Sequence, residues 1–456
     1  MNETFRTEED ILGTLTLPSG CLHGIATERA LRCSSIGSHK VPNEFIHTLG
    51  LVKYACASSN EILGVLSPVK ATVIKKAAWE IYEGKHDMAF PVEIFQTGGC
   101  TPTNMNVNEV IKNLANKTFP NLNVHANNDC NLGQSTNDVI PTALNITLRE
   151  LSKHSLLPAL KHCCDILTSK AIAWKNITIL GRTHTMDAVP MTLGQIFSGY
   201  KRQIEKNIEN IQLSLQRFTE LPIGGTAVGN GTNSHPKFGS CTIEILNDVL
   251  KDTYISSHNS FEQQSSRDDY VYFSGLLDTL ATSLIKIAND IRWYGSGPIG
   301  GINELILPPT QAGSSCMPGK VNPVVCETLL QACIYTQGHC LMIRNCAVIG
   351  GQFQLNTTTM LLIYALIESI RTLSKTIELF TDLLLKGLQP NLETIKQHVE
   401  NAYSILTVLA PKIGYDLVAK ISKEAQTTHQ PLIQTVQKYC PQFDDEQLQQ
   451  MLYIKS

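Results

Sequence analysis

The chain has 456 residues, 43% hydrophobic and 17% charged, with 37 lysines and arginines against 40 acids. That balance suits a globular protein, and a formal charge of −3 without a run of like charge excludes a nucleic-acid surface. Residues 1–15, MNETFRTEEDILGTL, lack the apolar core of a signal peptide, and no stretch reaches the roughly 20 uninterrupted apolar residues of a membrane helix, so a cytoplasmic location is expected.

Residues 1–138 mix short helical patterns with turns and are expected to form a first, mostly helical domain. Two polar, glycine-rich stretches stand out in it: TGGCTPTNMNVNE from Thr97 to Glu109, and GQSTND from Gly133 to Asp138. Residues 139–390 then carry the three-and-four apolar spacing of long helices. The pattern predicts helices over Asp187–Phe218, from Phe273 through Ile291, over Val324–Met342 and over Met360–Leu384. Long amphipathic helices joined by glycine-rich loops imply a mainly α fold built on a helix bundle, with faces broad enough to favour a homo-oligomer. Gly387 and Pro390 stop the last of them, and residues 391–456 are expected to form a small C-terminal helical domain.

Fourteen cysteines are expected to stay reduced in cytosol, where the triplets at Asn145, Asn176 and Asn230 are chance matches to a glycosylation motif. Cys326, Cys333 and Cys340 recur every seven residues. That leaves them two turns apart, too far to share an ion, so they read as small buried residues and no metal is expected.

Two further loops belong with the first pair: GRTHTMD from Gly181 to Asp187, and AGSSCMPGKVNP from Ala312 to Pro323. Hydroxyls and amides dominate all four, with one histidine and with Arg182 and Lys320 as cations. Such groups suit a small dicarboxylate, since each carboxylate accepts up to about four hydrogen bonds. Helix capping by Ser, Thr and Asn explains any one loop, but capping calls for neither histidine nor lysine. In the fourth loop Gly313 and Gly319 provide hinges for a mobile lid, and Pro323 fits the first turn of the next helix. There is no G-x-S-x-G elbow for a hydrolase, and IGGTAVGNGTN at Ile223–Asn233 lacks the spacing of a nucleotide loop.

The fourth loop resembles the signature of the fumarase/aspartase superfamily, G-S-x-x-M-x-x-K-x-N, at Gly313, Ser314, Met317, Lys320 and Asn322. TNMNVNE, QSTND, GRTHTMDAVPMTLGQ, GGTAVG and IGYD follow the family's order across nearly the whole chain. The resemblance implies a three-domain, mainly α fold whose central long-helix bundle forms a twenty-helix core in a homotetramer, with each active site drawn from three subunits. It implies no cofactor and a reversible anti elimination that yields fumarate. Carried over, Ser314 is the base that removes the proton next to a carboxylate, and His184 with its partner Glu327 relays protons or orients substrate. Thr101, Ser135, Thr136, Asn137, Thr183, Ser315, Lys320 and Asn322 bind substrate. A serine is a poor base unless its alkoxide is stabilised, and Lys320 or lid N–H groups are expected to supply that.

The leaving group rests on smaller signs. EEDILGT, Thr136, NELILPPTQAGSS, KVNPVV and GQFQLN resemble aspartases, which release ammonia from L-aspartate, and that is the expected reaction. GGTAVG and IGYD lean to class II fumarases, which release water from L-malate, and a non-catalytic relative is a third reading. HANNDCN before QSTND and TTTMLL after GQFQLN depart from the family's usual blocks.

Overall fold

Strands β1 (Phe5–Asp10) and β2 (Gly13–Pro18) open the chain as an antiparallel hairpin, in a computed structural model that describes residues 4–428 and 430–452. Helices then dominate: α1 (Ile25–Ser34), α2 (Asn43–Ile62), α3 (Pro68–Tyr82), α4 (Thr101–Thr118), α5 (Thr136–Leu151) and α6 (Leu157–Ala173). A second hairpin, β3 (Thr178–Thr183) and β4 (Met186–Thr192), leads into α7 (Leu193–Ser214). After α8 (Phe238–Leu250) and the short α9 (Ser260–Ser265) come three long helices, α10 (Asp268–Tyr294), α11 (Val324–Gly350) and α12 (Thr359–Leu379), and shorter helices fill residues 392–452.

The chain divides into two compact units, each made of three segments: residues 1–156, 210–278 and 335–372 in the first, and residues 157–209, 279–334 and 373–456 in the second. In the first, α2 packs against α3, α5 and α8 and is buried on nearly every side, which is why it carries no polar face. Gly50 permits the α2–α3 crossing, since a side chain there would start 2.9 Å from the backbone nitrogen of Tyr82. Phe218 stacks on Tyr270 and meets Phe273 edge to face, and the Tyr270 hydroxyl donates to Asn145 Oδ1 at 2.7 Å. Arg149 grips Asp252 through two bonds of 2.6 and 2.8 Å, with both side chains 6% exposed. In the second unit Trp174, Phe197 and Tyr200 pack edge to face. The C-terminal segment has its own apolar core, centred on Ile405, Leu406, Leu409, Ile421, Val436 and Leu448.

Three of the four long helices expected from periodicity run over the expected residues, with α11 continuing to Gly350 and α12 running on into a π-helical turn at Phe380–Leu385. The fourth starts late. Residues 187–192 form β4, paired with β3 through Arg182↔Asp187 and Leu180↔Pro190, and helix begins only at Leu193. Pro190 argues against a helix interior in the block DAVPMT, a break that the longer helical window beyond it masks. Helix α10 is long and apolar enough by length and composition to cross a bilayer, yet its Phe273, Leu277, Leu280, Leu284 and Ile291 are fully buried in protein.

Candidate active site

In the first unit, the N-termini of α4 and α5 meet. Thr101 is the first residue of α4, and Ser135, Thr136 and Asn137 form the cap and first turn of α5. The two loops are close neighbours: a side chain at Gly99 would start 3.9 Å from Asn137 Oδ1. Two helix N-termini carry the positive ends of their dipoles, a potential that suits a carboxylate. The cap of α5 is reciprocal, with Asp138 Oδ1 accepting from Ser135 N at 2.9 Å. Asp138 Oδ2 also accepts from Gly224 N at 3.1 Å and Thr226 N at 2.9 Å, so the buried aspartate ties GGTAVG to QSTND. Burial raises the Asp138 carboxyl to about 6, against the pull of these N–H donors and of Lys53. Asn137 Nδ2 donates to the Ala227 carbonyl at 2.8 Å, which aims its amide oxygen elsewhere.

The first loop is held from below. A side chain at Gly98 would start 1.3 Å from the Thr357 carbonyl oxygen, and Thr359 N donates to Gly98 O at 3.2 Å. The atypical TTTMLL block is thus the floor of this loop. Cys100, fully buried, takes a left-handed backbone with φ 67° just before α4, a conformation costly for a residue with a side chain. Burial pushes its thiol up to about 12, which leaves it inert. Glu109, at the end of the same stretch, serves structure: it accepts from Gly24 N, Ala26 N and Thr27 N at 2.8–3.1 Å and caps α1.

Beneath this half-site lies a buried polar cluster that the sequence reading did not single out. Lys53, 1% exposed on α2, donates to Asn131 Oδ1 at 3.0 Å and to Gln134 Oε1 at 2.8 Å. Asn131 Oδ1 also accepts from Asn104 and Asn108, each at 3.1 Å, and Asn104 Nδ2 donates to Thr136 Oγ1 at 3.1 Å. One signal was available: a lysine inside the apolar run LGLVKYACA is rare unless paired. Asn131, the hub, belongs to the atypical HANNDCN block.

The second unit carries the remaining predicted residues. Thr183 ends β3, and His184 with Thr185 forms the two-residue turn of the hairpin at φ 55° and 63°. Both angles are positive, as a tight type I′ turn requires, and His184 stands exposed at the tip. Arg182 is not available to a substrate. Its guanidinium makes a two-pronged pair with the buried Glu304 at 2.7 and 2.6 Å, and His398 Nδ1 shares that carboxylate at 2.8 Å. A cavity of about 1300 Å³ beside the hairpin, lined by Arg182, Asp187 and His398, therefore offers no uncommitted arginine for an anion.

The loop at 312–323 closes on itself. Gly313 N donates to Lys320 O at 3.0 Å, and Asn322 Nδ2 donates to Gly313 O at 2.6 Å. No side chain fits at Gly313, where a Cβ would sit 2.4 Å from the Lys320 carbonyl oxygen. Inside the ring, Ser314 Oγ accepts from Cys316 N at 3.2 Å and from Met317 N at 3.0 Å. Those two N–H groups point where an alkoxide would carry its charge. Ser315 and Lys320 are exposed, while Asn322 and Glu327, in the first turn of α11, are half-buried. Among the described residues no hydrogen bond or ion pair joins His184 to Glu327 within the chain. The predicted residues thus form two sets: Thr101, Ser135, Thr136 and Asn137 in the first unit, and Thr183, His184, Ser314, Ser315, Lys320, Asn322 and Glu327 in the second.

A family model described as "Lyase" matches residues 13–338. A protein named fumarate hydratase class II from Corynebacterium efficiens is 43% identical over 95% of this chain and 91% of its own length. One of the same name from Mycobacterium tuberculosis is 43% identical with the same coverage. Among solved structures, a class II fumarase from Schistosoma mansoni superposes with a TM-score of 0.93 at 34% identity over 98% of both chains. A fumarate lyase:delta crystallin from Brucella melitensis, bound to cobalt, gives 0.93 at 32% identity over 98% of both chains. The fumarase and fumarate hydratase names favour the water-releasing alternative over the ammonia release expected from local blocks such as Thr136 and GQFQLN.

Proposed function

This chain belongs to the lyase family of the fumarase/aspartase superfamily, and from that premise we propose that it is a class II fumarate hydratase, interconverting L-malate and fumarate. The observation that carries the reading is the identity of 42–43% over 93–95% of the chain to proteins of that name.

In this reading the two sets of residues serve one dicarboxylate. Ser314, its oxygen held by two lid N–H groups, removes the proton next to a carboxylate, while Lys320, Asn322 and Ser315 hold that carboxylate as it becomes a dianion. Thr101, Ser135, Thr136 and Asn137, at two helix N-termini, bind the other carboxylate and the hydroxyl. Thr183 and His184 complete the site, with Glu327 of another subunit as partner for His184. A homotetramer supplies that subunit. Its support within one chain is an unpartnered apolar stripe on α11, where Ile334, Leu341 and Val348 recur every seven residues at 62%, 52% and 75% exposure. The three sequence domains and a cytoplasmic location belong to the same proposal.

Supplying L-malate and L-aspartate separately, and following fumarate absorbance together with ammonia, tests the reading. Fumarate from malate is the expected result. Fumarate and ammonia from aspartate alone would restore the ammonia-lyase, and turnover of neither would favour a non-catalytic relative.

A further inference from the structure

We propose that Lys53 is a positioning residue for dicarboxylate binding, acting through Asn131 and Asn104 to set the Thr136 hydroxyl as a donor toward the substrate. The inference rests on the reading of Thr136 as a carboxylate ligand.

The argument begins with a buried charge. An ammonium removed from water needs either a counter-charge in contact or a full set of acceptors. Lys53 contacts two amide oxygens and no carboxylate, although Asp138 lies near enough to feel its field. Burial lowers the Lys53 ammonium to about 8, with Asp138, Cys56 and Cys130 opposing that shift, so it stays charged at neutral pH.

Charge at this point fixes orientation further along. Asn131 must present oxygen to an ammonium, and the same Oδ1 then receives the amides of Asn104 and Asn108. Asn104 must therefore present nitrogen to Asn131, because its own oxygen would face another oxygen. Among the described residues no protein donor reaches Asn104 Oδ1 or Asn108 Oδ1, so nothing in the chain pulls either amide the other way.

The outcome is a directed hydroxyl. Asn104 Nδ2 occupies a lone pair of Thr136 Oγ1, and among the described residues no acceptor takes the Thr136 proton. That proton is the group's free hydrogen-bonding function, and it sits in the first turn of α5 beside Asn137. A carboxylate oxygen is the partner such a donor selects.

The test is a double-mutant cycle read by calorimetry with succinate, a four-carbon dicarboxylate that cannot undergo elimination of water. Lys53→Met should weaken succinate binding about tenfold, the value of one hydrogen bond of roughly 1.4 kcal/mol. In a Thr136→Val background the same change should cost less than about twofold, because its target is gone. In turnover assays Lys53→Met should raise KM by a similar factor with kcat nearly unchanged, the signature of lost uniform binding. Should Lys53→Met fail to give soluble protein, Asn104→Ala takes its place in the cycle. An additive cycle, or a loss confined to kcat, overturns the role of Lys53. A wild-type chain that binds no four-carbon dicarboxylate overturns this inference and the substrate reading together, whereas binding without malate turnover removes only the hydratase assignment.

Discussion

Replacing Ser314 by alanine takes away a single oxygen and leaves the ring of the 312–323 loop closed. That oxygen receives the N–H groups of Cys316 at 3.2 Å and Met317 at 3.0 Å. A donor aimed at a developing oxyanion contributes about 3 kcal/mol, so two contribute about 6 kcal/mol. The loop is partly exposed, and water competing for both donors would halve this to about 3 kcal/mol. The expected fall in kcat for malate dehydration is therefore about 10²- to 10⁴-fold. KM should change little, since Lys320, Asn322 and the first-unit residues remain. The N–H groups left behind face solvent, so the melting temperature should be nearly unchanged. Initial rates from fumarate absorbance, alongside size-exclusion chromatography and a thermal melt, measure all three. A fall of less than about tenfold in a correctly assembled variant would refute the role of Ser314 as base.

The other expectations concern the scaffold. Gly98→Ala should abolish soluble protein or destabilise it by more than about 3 kcal/mol, because its Cβ would lie 1.3 Å from the Thr357 carbonyl oxygen; a variant that melts like the wild type would show that this floor is soft. Asp252→Asn should cost about 3–5 kcal/mol in urea unfolding by leaving Arg149 buried without its pair. Arg149 and Lys153 hold the Asp252 carboxyl well below the usual carboxylate range. Its contribution is thus present above about pH 4 and lost as pH falls toward the folded value, so the acid side of the stability profile should flatten in the variant. Leu341→Glu places a charge on the exposed stripe of α11 and should shift the sedimenting species toward the 50.2 kDa chain with loss of activity; an intact oligomer would place the interface elsewhere.

The long helices were legible because their apolar spacing persists for many turns, and α10, α11 and α12 follow it. The motif loops were legible because their residue types suit neither core nor ordinary surface. Hidden were features set by partners distant in sequence. Asp187–Thr192 became strand because β3 lies beside it, which no helical window over 187–218 contains. Arg182 stood out as one of two cations in the motif loops, and only Glu304, 122 residues away, shows where its charge is spent. Lys53 reads as a lone charge in an apolar helix, and only Asn131 and Gln134, 78 and 81 residues on, give it a purpose. The leaving group was hard to read for a different reason. Both reactions pass through an aci-carboxylate dianion of the same kind, differing only in the hydroxyl or ammonium still attached, so loops proposed to stabilise it carry little information about what departs.

The neck of the 312–323 loop bears on timing. Its closing bonds, Gly313 N to Lys320 O and Asn322 Nδ2 to Gly313 O, lie outside Ser314 and the N–H groups that hold it. Any swing of the loop about its ends carries base and donors together as one rigid cartridge. With Ser314 as the proposed base, the serine would be armed before substrate arrives, and closure would govern only access and the exclusion of water. Acidity and motion are separable in such a device: a substitution that slows the swing should leave the pH profile in place, while one inside the ring should move the profile and spare the swing.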